Sequence, residues 1–139
     1  MVKQEQKTPV VPRRAGWAIK SGLSNYEELQ YHPLRLELDW KTNPEDARLF
    51  YGIQKSRVPW LLDVLDYVSK LRMPDAPRNR FLQQAAAMTV KHGKDGLATA
   101  ERYFRNGDLG RALIQQDIVL QLAHSALLNF YKALELEVA

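Results

Sequence analysis

Leucine recurs every seven residues through the last third of the chain, and this spacing constrains the fold more than any other feature. The members of the series are Leu113, Leu120, Leu127 and Leu134. A helix from Asp108 to about Glu137 would place all four on one face and would be about 45 Å long. We therefore expect this helix to be the spine of a helical bundle.

Helix start and stop signals predict four further helices upstream. Asn43 and Pro44 mark a start, Pro59 is expected to break the pattern, and Gly93 and Asn106-Gly107 are expected to end helices. The predicted helices are Pro44 to about Ser56, Pro59 to Arg72, Pro77 to His92, Gly96 to Arg105 and Asp108 to about Glu137. In the third of these, we expect the core-facing side chains to be Phe81, Ala85 and Met88, with Leu82 and Ala86 widening the stripe.

The N-terminal segment has a different pattern. Ser24 and Glu27 have the spacing of a capping box, which predicts a short helix from about Asn25 to Tyr31, before His32-Pro33. Apolar residues then alternate with charged ones from Leu34 to Trp40, as in a strand with one buried face. No comparable run exists to pair with this segment, so it predicts an extended arm that lies on a core or on a partner.

The predicted fold class is mainly α: a bundle of about five helices with an extended N-terminal arm that contains one short strand-like segment. We divide the chain into an arm over residues 1–42 and a bundle domain over residues 43–139. The first twenty residues are polar, basic and proline-containing, which favours a segment ordered by a partner. The arm residues expected to contact that partner are Val10, Val11, Arg13, Arg14, Trp17, Leu34, Leu36, Leu38 and Trp40.

Composition excludes several classes of protein. The chain has no cysteine, so disulfides, thiolate zinc sites, iron–sulfur clusters and cysteine nucleophiles are ruled out. No apolar run approaches the roughly 20 residues of a membrane span. These features predict an intracellular protein of the cytoplasm or an organelle matrix.

No group of residues has the spacing of an active site. Asp117 and His124 share a helix face but lie about 10 Å apart along its axis, too far for a hydrogen bond. Gly93 to Gly96 lacks the preceding strand and the lysine-serine ending of a phosphate-binding loop. We therefore predict no catalytic residue, no metal ligand and no cofactor.

Basic residues are concentrated in two segments. The net charge is +4 for the whole chain, and residues 70–111 alone hold nine basic and four acidic residues. A polyanion would contact the cations of that segment. The predicted helices Pro77 to His92 and Gly96 to Arg105 are expected to be antiparallel, so their cations would form two basic spots on one surface. Lys91 and Lys94 would lie at one end, and Arg78, Arg80, Arg105 and Arg111 at the other. These candidates are Arg78, Arg80, Lys91, Lys94, Arg102, Arg105 and Arg111. In size, helix content and charge the chain is similar to the small helical subunits of CRISPR effector complexes, a similarity of architecture that implies binding to a nucleic-acid backbone.

Three functions are consistent with these patterns. The leading hypothesis is a non-catalytic α-helical subunit of a larger multiprotein assembly, docking through its arm and the bundle surface. The alternative is a basic subunit that binds nucleic-acid backbone in a ribonucleoprotein complex. The third is a small ligand-binding or enzymatic bundle, which a pocket lined by Trp60, Tyr103 or His124 and holding a bound ligand would support.

Overall fold

Five helices make up most of the described structure. The computed structural model describes residues 13–36 and 43–134. The helices are α1 (Arg13–Gln30), α2 (Pro33–Leu36), α3 (Pro44–Ser69), α4 (Pro77–Arg105) and α5 (Leu109–Ala133). The predicted mainly α fold is confirmed, and no strand occurs within the described ranges.

The four long helices form a bundle. α3 and α5 each pack against both α1 and α4 and also against each other. Gly22 faces Leu127 while Tyr26 bonds to Gln121, so α1 runs antiparallel to α5. Successive long helices alternate in direction, as expected for short connections.

Two apolar clusters fill the bundle. The larger lies between α1, α3, α4 and α5 and includes Ile19, Leu61, Leu65, Leu120 and Leu127. The smaller joins the beginnings of α3 and α5 to the end of α4 through Phe50, Tyr51, Ala100, Ala112 and Leu113. The two clusters together position α3 and α5 side by side.

α5 is the helix that the leucine series predicted, although it ends at Ala133, before Leu134, and the last residues of the predicted helix, 135–137, lie outside the described residues. Leu120 and Leu127 are fully buried, Leu113 is buried and Leu134 packs at the edge of the core. The Asp108 side chain accepts a hydrogen bond from the backbone N–H of Arg111, 3.2 Å away, and so caps the start of the helix. The predicted turn before it is also confirmed, because Gly107 has a φ of 82°.

α3 corrects the predicted break at Pro59. The helix is continuous from Pro44 to Ser69, with Pro59 in its interior. Proline leaves one carbonyl of the preceding turn without its helical partner, at a cost of about 3 kcal/mol. Burial of Val58, Leu61 and Leu62 around this point offsets the cost, since each fully buried aliphatic side chain contributes about 1.5–3 kcal/mol.

α4 corrects the predicted break at Gly93. The two expected helices are one helix of 29 residues, and Gly93 and Gly96 both lie inside it. A Cβ atom on Gly93 would lie 2.7 Å from Leu62 Cδ2, and one on Gly96 would lie 2.7 Å from Val119 Cγ2. These glycines allow α4 to approach α3 and α5 closely. In the sequence, a glycine needed for close packing cannot be distinguished from one that ends a helix.

This packing role predicts opposite behaviour for two glycine variants. Gly93→Ala and Gly52→Ala both gain about 0.8–1 kcal/mol of helix propensity. A Cβ on Gly52 meets nothing within 4 Å, whereas one on Gly93 contacts three atoms of the buried Leu62. Gly93→Ala should therefore be less stable than Gly52→Ala by about 1–3 kcal/mol, the usual cost of overpacking. Urea unfolding of both variants measures the difference, and equal stabilities would contradict the close approach.

α1 replaces most of the predicted arm. It begins at Arg13, well before the expected start at Asn25, and Ser24 lies within it. Ile19 and Leu29 belong to the larger cluster, and Ala15 is fully buried. The helix is therefore part of the bundle core. The expectation of a partner-ordered segment through Lys20 was wrong from Arg13 onward. Small residues such as Ala15 and Ala18 form part of the buried face of α1, so the sequence shows no strong apolar periodicity there.

α2 replaces the first part of the predicted strand. Pro33 occupies the first helical position, and the Nδ1 atom of His32 accepts a hydrogen bond from the Leu34 N–H at 3.1 Å. This cap and the proline together favour a helical turn over the extended arm predicted here. The remainder of the predicted strand, residues 37–40, lies outside the described residues.

Candidate protein-docking surfaces

Three apolar side chains form an exposed row on α5. Ile114, Ile118 and Leu122 lie at successive i, i+4 positions and are 55%, 46% and 47% exposed. We call this row the α5 ridge. Isolated surface hydrophobics are ordinary, but a continuous row on one helix face is typical of an interaction site.

A groove runs beside the α5 ridge, between α5 and the α2–α3 segment. Its volume is about 340 Å³, near the lower end of the roughly 300–1,000 Å³ usual for ligand pockets. The lining residues are Arg35, Phe50, Gln54, Gly110, Leu113, Ile114, Asp117 and Ile118. Because Phe50 and Leu113 belong to the smaller core cluster, apolar core atoms lie directly beneath the groove.

A salt bridge forms one wall of this groove. Arg35 Nη1 lies 2.7 Å from Asp117 Oδ1, which ties α2 to α5. The two charges neutralise each other in the groove. Asp117 thus pairs with Arg35, whereas His124, which the sequence places on the same helix face, stacks on Tyr26.

Two glutamines are buried between α3 and α5. Gln54 Nε2 donates to Gln116 Oε1 at 2.9 Å, and Gln116 Nε2 donates to the Tyr51 carbonyl at 3.1 Å. Gln54 Oε1 is buried and has no donor among the described residues. This polar contact fixes the register of the two helices where the groove meets them.

The predicted polyanion-binding residues lie mostly on one helix. Arg78, Arg80, Lys91, Lys94, Arg102 and Arg105 are all exposed on α4, and Arg111 is exposed near the start of α5. The expectation of two basic spots on antiparallel helices was wrong, because α4 is continuous. The cations extend instead along about 40 Å of a single helix.

Three of the seven cations already have an acidic partner. Arg80 pairs with Asp75, Arg105 with Glu101 at 3.2 Å, and Arg111 with Asp108 at 3.5 Å. Within the described residues, Arg78, Lys91, Lys94 and Arg102 form no ion pair within 4.0 Å. These four remain available to an anionic partner.

Two apolar side chains project among these cations. Phe81 and Met88 are 68% and 56% exposed, which corrects the prediction that they face the core. The buried face of α4 contains Val90 together with Leu82 and Ala86, which the prediction placed at the edge of the core-facing stripe. Apolar residues occur on both faces of this helix, so periodicity alone centred the stripe on the wrong face.

The predicted arm residues are separated in the structure. Arg13, Arg14 and Trp17 are exposed on α1, whereas Leu34 packs against the smaller core cluster. Leu36 lies in α2, and Val10, Val11, Leu38 and Trp40 lie outside the described residues. The described members of this set therefore do not form one continuous surface.

One cluster of ionisable groups lies between α3 and α4. The Tyr51 hydroxyl donates to Glu101 Oε1 at 2.8 Å, and Lys55 and Arg105 also contact this carboxylate. Burial and the bond to Glu101 raise the pKa of Tyr51 well above its usual range. The hydrogen bonds from Tyr51 and Lys55 lower the pKa of Glu101. Both pKa values move away from neutrality, which is the reverse of what acid–base catalysis requires.

A second groove lies between α1 and α5. Its volume is about 490 Å³, and the lining residues are Lys20, Leu23, Ser24, Glu27, His124, Leu128 and Tyr131. The His124 ring stacks on Tyr26 with a centroid distance of 3.7 Å, and the Tyr26 hydroxyl donates to Gln121 Oε1 at 2.8 Å. The stack of His124 on Tyr26 joins residues 98 positions apart, and the spacing of residues in the sequence gave no signal for it.

The stacked histidine predicts a dependence of stability on pH. Burial lowers the pKa of His124 below 6.5, while the nearby Glu27 acts in the opposite direction. The imidazole of His124 therefore binds a proton more tightly in the unfolded chain than in the folded one. The stability that neutral His124 contributes should be complete above about pH 6.5 and should decrease as pH falls below that value. His124→Phe keeps an aromatic ring stacked on Tyr26 but removes the group that titrates. Its melting temperature should fall less than that of the wild type between about pH 7 and 5, and equal losses would contradict the prediction.

Comparisons with protein-family models, curated proteins and solved structures give no match to this chain. Within residues 13–36 and 43–134, no helix is long and apolar enough to cross a membrane. The same ranges contain no group of three or more His, Cys, Asp or Glu side chains arranged to hold a metal ion.

Proposed function

We propose that this chain is a non-catalytic α-helical subunit of a larger protein assembly. The α5 ridge is the observation that carries the proposal. Two of its three aliphatic side chains, Ile114 and Ile118, line a groove. A partner that covers the ridge can therefore also place a side chain over Phe50 and Leu113. Binding energy in interfaces is usually concentrated where such anchors enter pockets.

Other features support the same function. The best-connected ionisable cluster, around Tyr51 and Glu101, has pKa values unsuited to proton transfer near neutral pH. The complete lack of cysteine, and so of disulfides, fits an intracellular or organellar compartment.

Nucleic-acid binding is the competing function. It is favoured by the alignment of six exposed cations along α4. Ion pairs of Arg80, Arg105 and Arg111 weaken it, because these charges must leave an acidic partner before they contact a phosphate. Nuclease treatment before purification distinguishes direct protein contacts from contacts through nucleic acid.

The docking proposal predicts a loss of assembly without a loss of folding. Ile114→Ser combined with Ile118→Ser should weaken partner binding at least about tenfold, because it removes the apolar contact area of two central residues. Since both side chains are about half exposed, the free energy of unfolding should change little. Tagged wild-type and variant chains are purified from the native cells after nuclease treatment, and the bound proteins are quantified by mass spectrometry.

Leu49→Ser is the matched control. Leu49 is an exposed leucine on α3 and does not line the groove. Its substitution should leave the recovered proteins unchanged. Equal recovery with the wild type and the ridge variant would refute docking at this face.

A further inference from the structure

The first two-thirds of α4 has an unusual combination of charge and exposed apolar surface. Residues 77–94 contain Arg78, Arg80, Lys91 and Lys94 and no acidic residue. Phe81 and Met88 are exposed in the same stretch. We call this surface, residues 78–94 of α4, the α4 face.

The two apolar side chains are arranged like neighbouring positions in a helix–helix seam. Phe81 and Met88 are seven residues apart, so they lie on the same side of α4 and about 10.5 Å apart along its axis. Gln84, Ala85 and Ala87 complete a shallow, mainly apolar depression of about 470 Å³ between them. A second helix lying along α4 would bury both large side chains.

The cations border this apolar strip at both ends. Arg78 precedes Phe81 by three positions and Lys91 follows Met88 by three, so each cation lies one helical turn beyond an apolar side chain. Neither forms an ion pair within the described residues. A partner that covers Phe81 and Met88 therefore also brings groups close to two uncompensated positive charges.

We propose that the α4 face binds an acidic amphipathic helix of a partner protein. Apolar side chains on that helix cover Phe81 and Met88, and carboxylates on its flanks pair with Arg78 and Lys91. Complementary charge steers such an encounter and disfavours wrong partners. The α4 face shares no residue with the α5 ridge or its groove, so a chain that docks through both surfaces can join two partners.

Charge argues against the other occupants. Two copies of the α4 face would bring cations against cations, which disfavours pairing of this face with itself. A nucleic-acid backbone would satisfy Arg78 and Lys91 but would leave Met88 without an apolar partner. Only an acidic amphipathic segment complements both features.

The test uses synthetic peptides of about 20 residues, long enough for an isolated helix to form. The probe is an alanine-rich helix with a leucine stripe flanked by glutamates. One control peptide has glutamine in place of each glutamate, and another has serine in place of each leucine. An oligouridylate of about 20 nucleotides tests nucleic acid. Binding to the full-length chain is measured by fluorescence anisotropy at low salt.

We expect the acidic leucine peptide to bind at least about tenfold more tightly than either control peptide and than the oligouridylate. Phe81→Ser with Met88→Ser, and Arg78→Glu with Lys91→Glu, should each weaken binding about tenfold. Arg48→Glu, which changes an exposed cation on α3, should not. A peptide with lysine in place of glutamate should regain binding to the Arg78→Glu and Lys91→Glu variant, because the charges are then exchanged.

Three outcomes would overturn the proposal. Tighter binding of oligouridylate than of the acidic peptide, unaffected by the Phe81 and Met88 substitutions, would assign the face to nucleic acid. Concentration-dependent self-association that these substitutions abolish in sedimentation experiments would assign it to a second copy of the chain. Absence of peptide binding even at low salt would leave the face without the proposed ligand.

Discussion

A chain that begins at Asn43 should fail to form the native bundle. α1 contributes Ile19 and Leu29 to the interior, and its removal would also uncover Leu61 and Leu127, which lie against Gly22. Burial of Ile19 and Leu29 alone contributes about 3–6 kcal/mol. This is comparable with the entire 5–15 kcal/mol stability of an ordinary domain. The division of the sequence into an arm over residues 1–42 and a bundle domain over residues 43–139 predicts a folded remainder after this deletion, and the packing of α1 reverses that expectation.

Circular dichroism and thermal unfolding of the truncated chain measure this effect. We expect reduced helicity, a broad or absent unfolding transition and association of the exposed apolar surfaces. Trp17→Ala in the full chain is the control, because Trp17 lies on the same helix with its side chain exposed. It should unfold like the wild type within about 0.5 kcal/mol. A truncated chain with a sharp, unchanged transition would show that α1 is dispensable to the core.

Leu120→Ala should cost about 2–5 kcal/mol of unfolding free energy, whereas Leu122→Ala should cost about 0.5 kcal/mol or less. Leu120 is completely buried between the helices, and its truncation leaves a cavity that close-packed neighbours fill only in part. Leu122 lies two residues further along α5 but belongs to the exposed ridge. The two variants have the same chemistry and differ only in the direction of the side chain.

Urea unfolding monitored by circular dichroism compares the two leucine variants directly. Leu122→Ala should instead weaken partner recovery, as expected of a ridge residue. A stability loss below about 1 kcal/mol for Leu120→Ala would mean that α5 is not the centre of the core.

Helix content was predictable from the sequence because its signals are local. The leucine series and the Asp108 cap identified α5, and Asn43-Pro44 identified the start of α3. Each of these signals depends on side chains a few residues apart. Such signals can be recognised before the packing partners of the helix are known.

The joins between helices were predicted wrongly where local and tertiary preferences conflict. Pro59 and Gly93 disfavour a continuous helix locally, yet both lie inside long helices whose neighbouring side chains are buried. Ser24 likewise resembles a cap but lies within α1. The free energy of burial along α1, α3 and α4 exceeds these local costs, and it cannot be evaluated before the packing partners are known.

The candidate surfaces were predicted only in part. The exposed cations of α4 were identified from composition, but their arrangement along one helix depended on the absence of a break at Gly93. Phe81 and Met88 were assigned to the core, and the exposure of Ile114, Ile118 and Leu122 was not anticipated. The residues that surround an apolar side chain in the sequence do not indicate whether a neighbouring helix will cover that side of its own helix.

The sequence by itself determined that this chain is mainly helical, that α5 is its apolar spine and that it has no cysteine chemistry. Local propensity, side-chain periodicity and composition are sufficient for these conclusions. The tertiary structure decided that α1 belongs to the core, that α3 and α4 are unbroken, and that apolar side chains of α4 and α5 face outward. These outcomes depend on which helices contact one another, because burial is a property of residues distant in the chain and brought together by folding.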